Sequence, residues 1–210
     1  FDDWMRAKPV DIGNTVRRGI LNFRLTGSPV TPPSDHDAGN GAAMRVLPVA
    51  LATHGAPAET VAQACRAQAH VTHNNPLSDA ACECIADMLQ LALSGADKDT
   101  LLKTARGLAR RIPAFAFEAC RPRQNPSGFI VDTVQAVFQA FFGHDDFRAI
   151  LVDVVNRGGD SDTTGAIAGM LAGAHYGPDA LPGDWLRRLD ATTAARCRHQ
   201  AGALLAFARA

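Results

Sequence analysis

Gly158-Gly159-Asp160-Ser161-Asp162-Thr163-Thr164 is the stretch that organises this chain, and Gly-Ala-Ile-Ala-Gly-Met-Leu-Ala-Gly-Ala follows from residue 165 to 174. The two glycines permit a backbone turn that other residues rarely adopt. Alternate side chains of an extended turn point the same way, so the carboxylates of Asp160 and Asp162 are expected to converge. Converging carboxylates repel unless a positive charge lies between them, and a hard cation with oxygen ligands, including the Thr163 hydroxyl, would supply it.

Helix capping is the competing interpretation of the same residues. Aspartate, serine and threonine are all good N-cap types, so the local string alone does not decide. The segment that follows favours the metal site, because it is predicted to be a helix buried on all faces. Its glycines recur every four residues on one face; they are Gly165, Gly169 and Gly173. Each glycine costs up to about 1 kcal/mol relative to alanine in a helix interior. We therefore expect another backbone to approach this face closely.

A membrane-spanning helix is excluded for this segment. The uncharged run from residue 163 to 178 is shorter than the roughly 20 residues that a bilayer requires. The preferred interpretation is therefore a rigid buried helix with a carboxylate pair at its N-terminal end.

Bulk composition predicts one globular domain spanning 1–210. The chain has 210 residues, 47% of them hydrophobic and 20% charged. Lys plus Arg equals Asp plus Glu at 21 each, which argues against broad electrostatic binding of nucleic acid. The five cysteines include no CxxC pair and the chain shows no signal peptide, so a reducing, cytoplasmic setting is expected. We expect a monomer.

The beginning of the chain predicts a missing N-terminal segment. The chain starts at Phe1 rather than Met, and Phe1, Trp4 and Met5 have the pattern of an amphipathic helix that is already under way. We therefore expect an N-terminally truncated domain.

Several polar residues outside the central stretch allow two interpretations each. Asp11, just before Gly13, is either an Asx-turn residue or a carboxylate aimed into a site. The Gly39-Asn40-Gly41 run suits a backbone that approaches a ligand or another helix.

Arg45 would neutralise a phosphate or carboxylate, or be a surface charge. His70 and His73 would bind a transition metal together, or hydrogen-bond backbone at a helix end.

Helical periodicity elsewhere predicts an all-α fold. No segment alternates strongly with period two, and residues 26–41 are rich in Gly, Pro, Ser and Asp, which indicates a loop. Besides the buried helix that ends near 176, helices are predicted at about 1–8, 15–25, 58–69, 79–93, 97–111, 129–142, 146–156 and, in more than one piece, 185–208.

The 158–174 string closely resembles the second metal motif of the ADP-ribosylglycohydrolases. Looser matches at 10–13, 38–51 and 130–133 are similar to one branch of the family, whose members remove ADP-ribose from an arginine of the nitrogenase iron protein. The resemblance runs over essentially the whole chain. It implies a compact all-helical bundle and a site for two divalent cations, Mn²⁺ or Mg²⁺.

Residue roles follow from that resemblance. It implies Asp160, Asp162 and Thr163 as metal ligands and Asp11 as a general base or substrate-positioning carboxylate. It also implies an ADP-ribose cleft, to which it assigns Gly39, Asn40, Gly41, His73, Phe129, Gly158 and Gly159. Phe129 stands where the branch often has tyrosine, so a stacking role for adenine would keep the ring and lose the hydroxyl.

One departure limits the resemblance. The family's first metal motif, Thr-Asp-Asp-Thr, and an upstream Glu have no counterpart in this sequence. We therefore expect this polypeptide alone to bind the metals weakly and to be inactive, and the full-length protein to be active.

The implied function is metal-dependent hydrolysis of the N-glycosidic bond of ADP-ribosyl-arginine. Alternatives are hydrolysis of serine-linked ADP-ribose or O-acetyl-ADP-ribose, and an ADP-ribose-binding module without turnover. A purely structural helical protein is disfavoured by the paired aspartates behind two glycines. The implied partners are an ADP-ribosylated protein such as the nitrogenase iron protein, a PII-type signalling protein, and an ammonium channel for membrane recruitment.

Overall fold

Eleven α-helices make up the computed structural model, which describes residues 1–208. Within that range no strand occurs, and a single antiparallel bridge pairs Gly39 with Phe129, so the all-α prediction is confirmed. None of these helices has the length and apolar composition needed to cross a membrane. The helices are α1 (Asp2–Arg6), α2 (Asn14–Thr26), α3 (Leu47–Ala52), α4 (Ala58–Ala69), α5 (Pro76–Leu93), α6 (Lys98–Arg111), α7 (Ile130–Gly143), α8 (Phe147–Asn156), α9 (Ser161–Tyr176), α10 (Gly183–Leu186) and α11 (Ala191–Ala208).

Helix α9 lies in the middle of the core, where it packs against α8, α7 and α5. Only Asp162 and Ala166 of its 16 residues are exposed, but Gly169 and Gly173 on the same face are half-buried, so the helix is largely buried and not buried on all faces as predicted. Its largest apolar neighbours are fully buried aromatic and aliphatic side chains, which the hydrophobic effect keeps out of water. They include Phe138 and Phe141 of α7 and Ile85, Met88 and Leu89 of α5.

The expected reason for the glycine spacing in α9 is wrong. A Cβ at Gly165 would lie 3.0 Å from the Val155 side chain, and one at Gly169 would lie 3.7 Å from the Leu151 side chain. A Cβ at Gly173 would meet nothing within 4 Å. Side chains of α8, rather than another backbone, therefore occupy the space that the first two glycines leave.

Capping side chains define the starts of three helices. The side chains of Asn75, Asp97 and Asp146 accept hydrogen bonds from backbone N–H groups in the first turns of α5, α6 and α8. Because Asn75 caps α5, that helix begins at Pro76 and not at residue 79 as predicted. Asp160 holds the same position before α9, yet its side chain makes no capping bond. The capping interpretation of Asp160 is therefore wrong.

The glycine turn before α9 is locked against the segment 126–130. Gly158 and Gly159 have φ values of +76° and +63°, which disfavour any residue with a Cβ. The N–H of Asp160 donates to the Pro126 carbonyl at 2.8 Å. A Cβ on Gly159 would lie 2.2 Å from that same carbonyl oxygen, so only glycine fits.

The segment 126–130 also holds the loop that carries Asn40. The N–H of Asn40 donates to the Gly128 carbonyl at 3.0 Å, and the N–H of Ile130 donates to the Ala38 carbonyl at 2.9 Å. Both the glycine turn and the Asn40 loop are thus attached to one short segment through main-chain atoms.

Candidate metal and ligand site

A cleft of about 470 Å³ opens at the N-terminal end of α9, within the size range of about 300–1,000 Å³ that is typical of small-molecule sites. The structure brings together eight of the residues predicted for the site along its walls: Asp11, Gly39, Asn40, Gly41, His73, Asp160, Asp162 and Thr163. Phe129, Gly158 and Gly159 are not among the described residues that line it. Phe129 is 43% exposed beside Gly39, and the two glycines shape the turn behind Asp160.

The carboxyl groups of Asp160 and Asp162 lie within hydrogen-bonding reach of each other. The hydrogen bond with Asp160 lowers the pKa of Asp162 below its ordinary value, and the N–H of Thr163 adds to this effect by donating to Asp162 at 2.9 Å. Two carboxyl groups at this separation require a proton or a cation between them. The two carboxyl groups therefore converge as expected, although not through an extended turn, because Asp162 lies in the first turn of α9.

Asn40 holds Asp160 in place from a loop 120 residues earlier in the chain. Its buried side-chain amide donates to Asp160 Oδ2 at 2.6 Å and to the Thr133 hydroxyl at 2.9 Å. Because an amide nitrogen carries two hydrogens, both are used within the protein. Only Asn40 Oδ1 is left for a ligand.

Thr163 offers a further oxygen to the same point. Its side chain is buried, and the hydroxyl has only the Met44 sulfur, a weak acceptor, as a partner at 3.8 Å among the residues described. Across residues 1–208, no three His, Cys, Asp or Glu side chains are grouped closely enough to hold a metal ion. Two carboxylates and one hydroxyl fit one wall of a Mg²⁺ or Mn²⁺ site, since Mg²⁺ is usually held by one or two carboxylates and completes its shell with water and substrate oxygens.

His73 is clamped by the two glycines of the Asn40 loop. A Cβ on Gly39 would lie 2.8 Å from Nε2, and one on Gly41 would lie 2.7 Å from Cε1. These glycines therefore make room for the imidazole ring. His70 pairs with Asp79 at 3.0 Å and His73 contacts the Thr72 hydroxyl at 2.7 Å, so the expected backbone bonds of both histidine side chains are absent from the described structure.

Arg45 is a structural residue that hydrogen-bonds within the protein, and it is not a surface charge. It donates to the carbonyl of Gly41 at 3.0 Å, to the side chain and carbonyl of Gln68 at 2.9 Å each, and to the hydroxyl of Thr72 at 2.8 Å. The guanidinium thereby fixes the loop on one side of His73 and the chain on the other.

The first turn of α2 forms the wall opposite α9. Gly13 is its N-cap and supplies no side-chain bond to the free N–H groups, while residues 13–16 line the cleft. Free N–H groups at a helix start favour negatively charged ligand groups such as phosphate. Eight lining residues were not predicted: Trp4, Ile12, Gly13, Asn14, Thr15, Val16, Met44 and Gly128. Those from 12 to 16 directly follow Asp11, which was the available signal.

The pH dependence of stability is expected to report on His73. Its pKa is lowered to about 4, mainly by burial and then by the charges of Arg45 and Arg18. The unfolded chain binds the proton near pH 6.5, so it holds more protons than the folded chain between these values. Stability should therefore fall as the pH drops, by about 2 kcal/mol from pH 7 to 5 through this group.

Urea unfolding of the native protein and of His73→Gln at both pH values measures this contribution. The loss between pH 7 and 5 should be smaller in His73→Gln by that amount. The exposed His36→Gln is the matched control and should keep the full loss. An identical loss in all three proteins would contradict the assignment.

Comparison with known proteins places the chain among enzymes of one kind. A family model described as ADP-ribosylglycohydrolase matches residues 1–209. An ADP-ribosyl-[dinitrogen reductase] glycohydrolase of Rhodospirillum rubrum is 46% identical over 208 residues, covering 99% of this chain and 70% of that protein.

More distant relatives agree. An ADP-ribosylarginine hydrolase Tri1 of Pseudomonas putida is 33% identical over 191 residues, which are 85% of this chain and 50% of that protein. A solved structure titled ADP-ribosylglycohydrolase-related protein complex superposes with a TM-score of 0.84 at 33% identity, over 99% of this chain and 71% of the other.

Proposed function

The chain belongs to the ADP-ribosylglycohydrolase family, and we propose that it hydrolyses the N-glycosidic bond between ADP-ribose and an arginine side chain of a protein. The observation that carries this proposal is the convergence of Asp160 and Asp162 in one cleft with Asp11. The relatives named for ADP-ribosyl-arginine and ADP-ribosyl-dinitrogen reductase support the choice of bond.

The chain's own residues would divide the chemistry as follows. Asp160, Asp162 and Thr163 would hold divalent cations, Mn²⁺ or Mg²⁺, which when bound orient ribose hydroxyls and lower the pKa of water. Asp11, exposed in the segment before α2, would take the proton from the attacking water, whose OH forms the new bond to the ribose carbon as the C–N bond breaks. That proton would return to the leaving nitrogen, so that arginine departs as its guanidinium. The N-terminal turn of α2 would receive the diphosphate. Cleavage of a glycosidic bond passes through an oxocarbenium-like transition state, which the carboxylates of the cleft would stabilise.

A substrate panel tests the bond. The full-length protein with Mn²⁺ is expected to release ADP-ribose from an ADP-ribosyl-arginine peptide and to leave serine-linked ADP-ribose and O-acetyl-ADP-ribose largely intact. Preferential cleavage of either of the latter would replace the arginine assignment with the corresponding linkage. Tight binding of ADP-ribose without release from any substrate would instead identify a binding module.

We further propose ADP-ribosylated dinitrogen reductase as the protein substrate, because the relative of that name is 46% identical over nearly the whole chain. Restoration of dinitrogen reductase activity after incubation with this protein is the expected result. Free peptide turnover without restoration would point to another target. A PII-type partner and recruitment to a membrane stay predictions.

Asp11→Ala is expected to reduce turnover much more than binding. General acid–base groups typically contribute about 10²–10⁴-fold to rate, whereas an exposed carboxylate adds little to the affinity for an anionic ligand. Steady-state kinetics and calorimetry with ADP-ribose measure the two effects separately. Asp35→Asn removes an exposed loop carboxylate outside the cleft lining and is the control. An unchanged turnover number in Asp11→Ala would remove Asp11 from the chemistry.

A further inference from the structure

Three side chains in contact fix the position of the protons at His73. Arg45 Nη2 lies 2.8 Å from the Thr72 hydroxyl, and that hydroxyl lies 2.7 Å from His73 Nδ1. A guanidinium only donates, so the Thr72 oxygen must accept from Arg45. The second lone pair of the hydroxyl oxygen could accept from an Nδ1–H, but the single hydroxyl hydrogen would then have no acceptor among residues 1–208. A bare Nδ1 gives that hydrogen its acceptor.

We infer that Thr72 and Arg45 are positioning residues that hold His73 as the neutral tautomer with its hydrogen on Nε2, and that this N–H donates into the cleft. His73 is then a fixed hydrogen-bond donor to an oxygen of the ligand and not a proton-accepting base. Thr72 and Arg45 act only through His73 and through the Asn40 loop.

The surroundings of His73 support this inference. His73 is only 3% exposed, and no described residue hydrogen-bonds to its Nε2. Every fully buried side-chain nitrogen or oxygen in 1–208 has a hydrogen-bond partner, so Nε2 is not one of the fully buried atoms. The exposure that Nε2 retains is therefore toward the cleft, which His73 helps to line. Gly39 and Gly41 pack closely against the ring, because a Cβ at either position would lie no more than 2.8 Å from a ring atom.

The charges that face His73 favour the neutral ring. They are Arg45 from the turn before α3 and Arg18 from α2, and Arg18 is itself paired with Asp37. No carboxylate bonds to His73 in the described structure. His70 and His144, in contrast, each contact a carboxylate, Asp79 and Asp153, at 3.0 Å. A neutral donor keeps the same hydrogen-bonding role across the physiological pH range.

Nitrogen NMR of the imidazole groups in labelled protein tests the tautomer directly. The expected result is a hydrogen on Nε2 and a bare Nδ1 for His73 from pH 5 to 8. Thr72→Val removes the donor and should produce a mixture of tautomers, while Thr72→Ser should restore the single form. A hydrogen on Nδ1 in the native protein, or a native spectrum for His73 in Thr72→Val, would overturn the inference.

Calorimetry with ADP-ribose tests the donor role, and this part rests on the proposed function. Loss of one oriented hydrogen bond should weaken binding about tenfold in Thr72→Val, whereas Thr72→Ser should bind more tightly than Thr72→Val. Equal affinity of Thr72→Val and the native protein would overturn the donor role. Absence of ADP-ribose binding by the native protein would overturn the proposed function instead, and the NMR result would still decide the tautomer.

Thermal melting checks that Thr72→Val is folded, because that change leaves a buried Arg45 hydrogen without its acceptor. Should Thr72→Val fail to fold, the native spectrum together with Thr72→Ser decides the tautomer. The affinity measurement then uses His73→Gln in place of Thr72→Val. The glutamine amide keeps a hydrogen-bond donor, but Thr72 no longer holds it in one orientation.

Discussion

Hydrolysis of ADP-ribosyl-arginine is expected to fall at least about 10³-fold when Asp162 is replaced by alanine. A bound cation contributes several kcal/mol to transition-state stabilisation, and each 1.4 kcal/mol corresponds to about tenfold in rate. Among residues 1–208, Asp160 and Asp162 are the two carboxylates that meet at the N-terminal end of α9, so loss of Asp162 removes one of the two negative charges that would hold the ion.

The same change should cost the fold little. Asp162 is exposed, and its main-chain contact is with the adjacent N–H of Thr163. Circular dichroism and the urea midpoint of Asp162→Ala should therefore stay near the native values while turnover is lost. Titration with Mn²⁺ should show weaker binding than in the native protein, which separates a metal role from a structural one.

Asp179→Asn is the matched control for Asp162. It removes an exposed carboxylate just past the other end of α9, roughly 25 Å away for a helix of 16 residues. This variant should keep full turnover and full affinity for Mn²⁺. Near-normal turnover by Asp162→Ala would remove Asp162 from the metal site.

Gly159→Ala is expected to lose both stability and activity. The positive φ costs a residue with a Cβ about 1–2 kcal/mol, and a Cβ only 2.2 Å from the Pro126 carbonyl forces the backbone to move at a cost of about 1–3 kcal/mol more. Domains of this kind have about 5–15 kcal/mol of total stability, so the loss is a large share. The displaced turn would also move Asp160, whose N–H bonds to Pro126.

Two other glycines separate the causes of this effect. Gly27 also has a positive φ, of +72°, in the left-handed region, but a Cβ there would meet nothing within 4 Å, so Gly27→Ala should show the conformational cost alone. Gly173, inside α9 with equally free space, should become more stable by up to about 1 kcal/mol as alanine. Urea unfolding of the three variants gives the comparison. Equal losses for Gly159→Ala and Gly27→Ala would show that the Pro126 contact is unimportant.

The helices could be predicted from sequence because their causes are local. Apolar periodicity, proline positions and capping residues lie within the elements that they define, so α4 and α6 through α8 were placed within a residue or two, as was the end of α9. The start of α9 at Ser161 comes four residues before the expected 165. The predicted start of α5 is three residues too late, because Asn75 caps the helix and Pro76 is its first residue.

The site needed contacts that no local pattern contains. Choosing between a cap and a carboxylate pair at Asp160 depends on Asn40, which reaches it from another loop. Likewise, Arg45 was ambiguous because its partners, Gln68 and Thr72, lie more than 20 residues away. The meeting of Asp11 with the pair was expected from the resemblance to a family, since spacing along the chain says nothing about it.

The segment 126–130 ties the two sides of the cleft together only through carbonyl and N–H groups, which every residue except proline possesses. The side chains at 127 and 129 make no hydrogen bond to Asp160 or to the Asn40 loop, although the Ser127 hydroxyl bonds to Asp132 and to the Phe129 N–H. Any exchange at 129, and exchanges at 127 that keep a hydroxyl, can therefore occur over evolutionary time without moving the site. A lineage could alter which modified proteins it accepts at this rim while the hydrolytic centre stays intact. Directed evolution of new target preference should begin at these two positions.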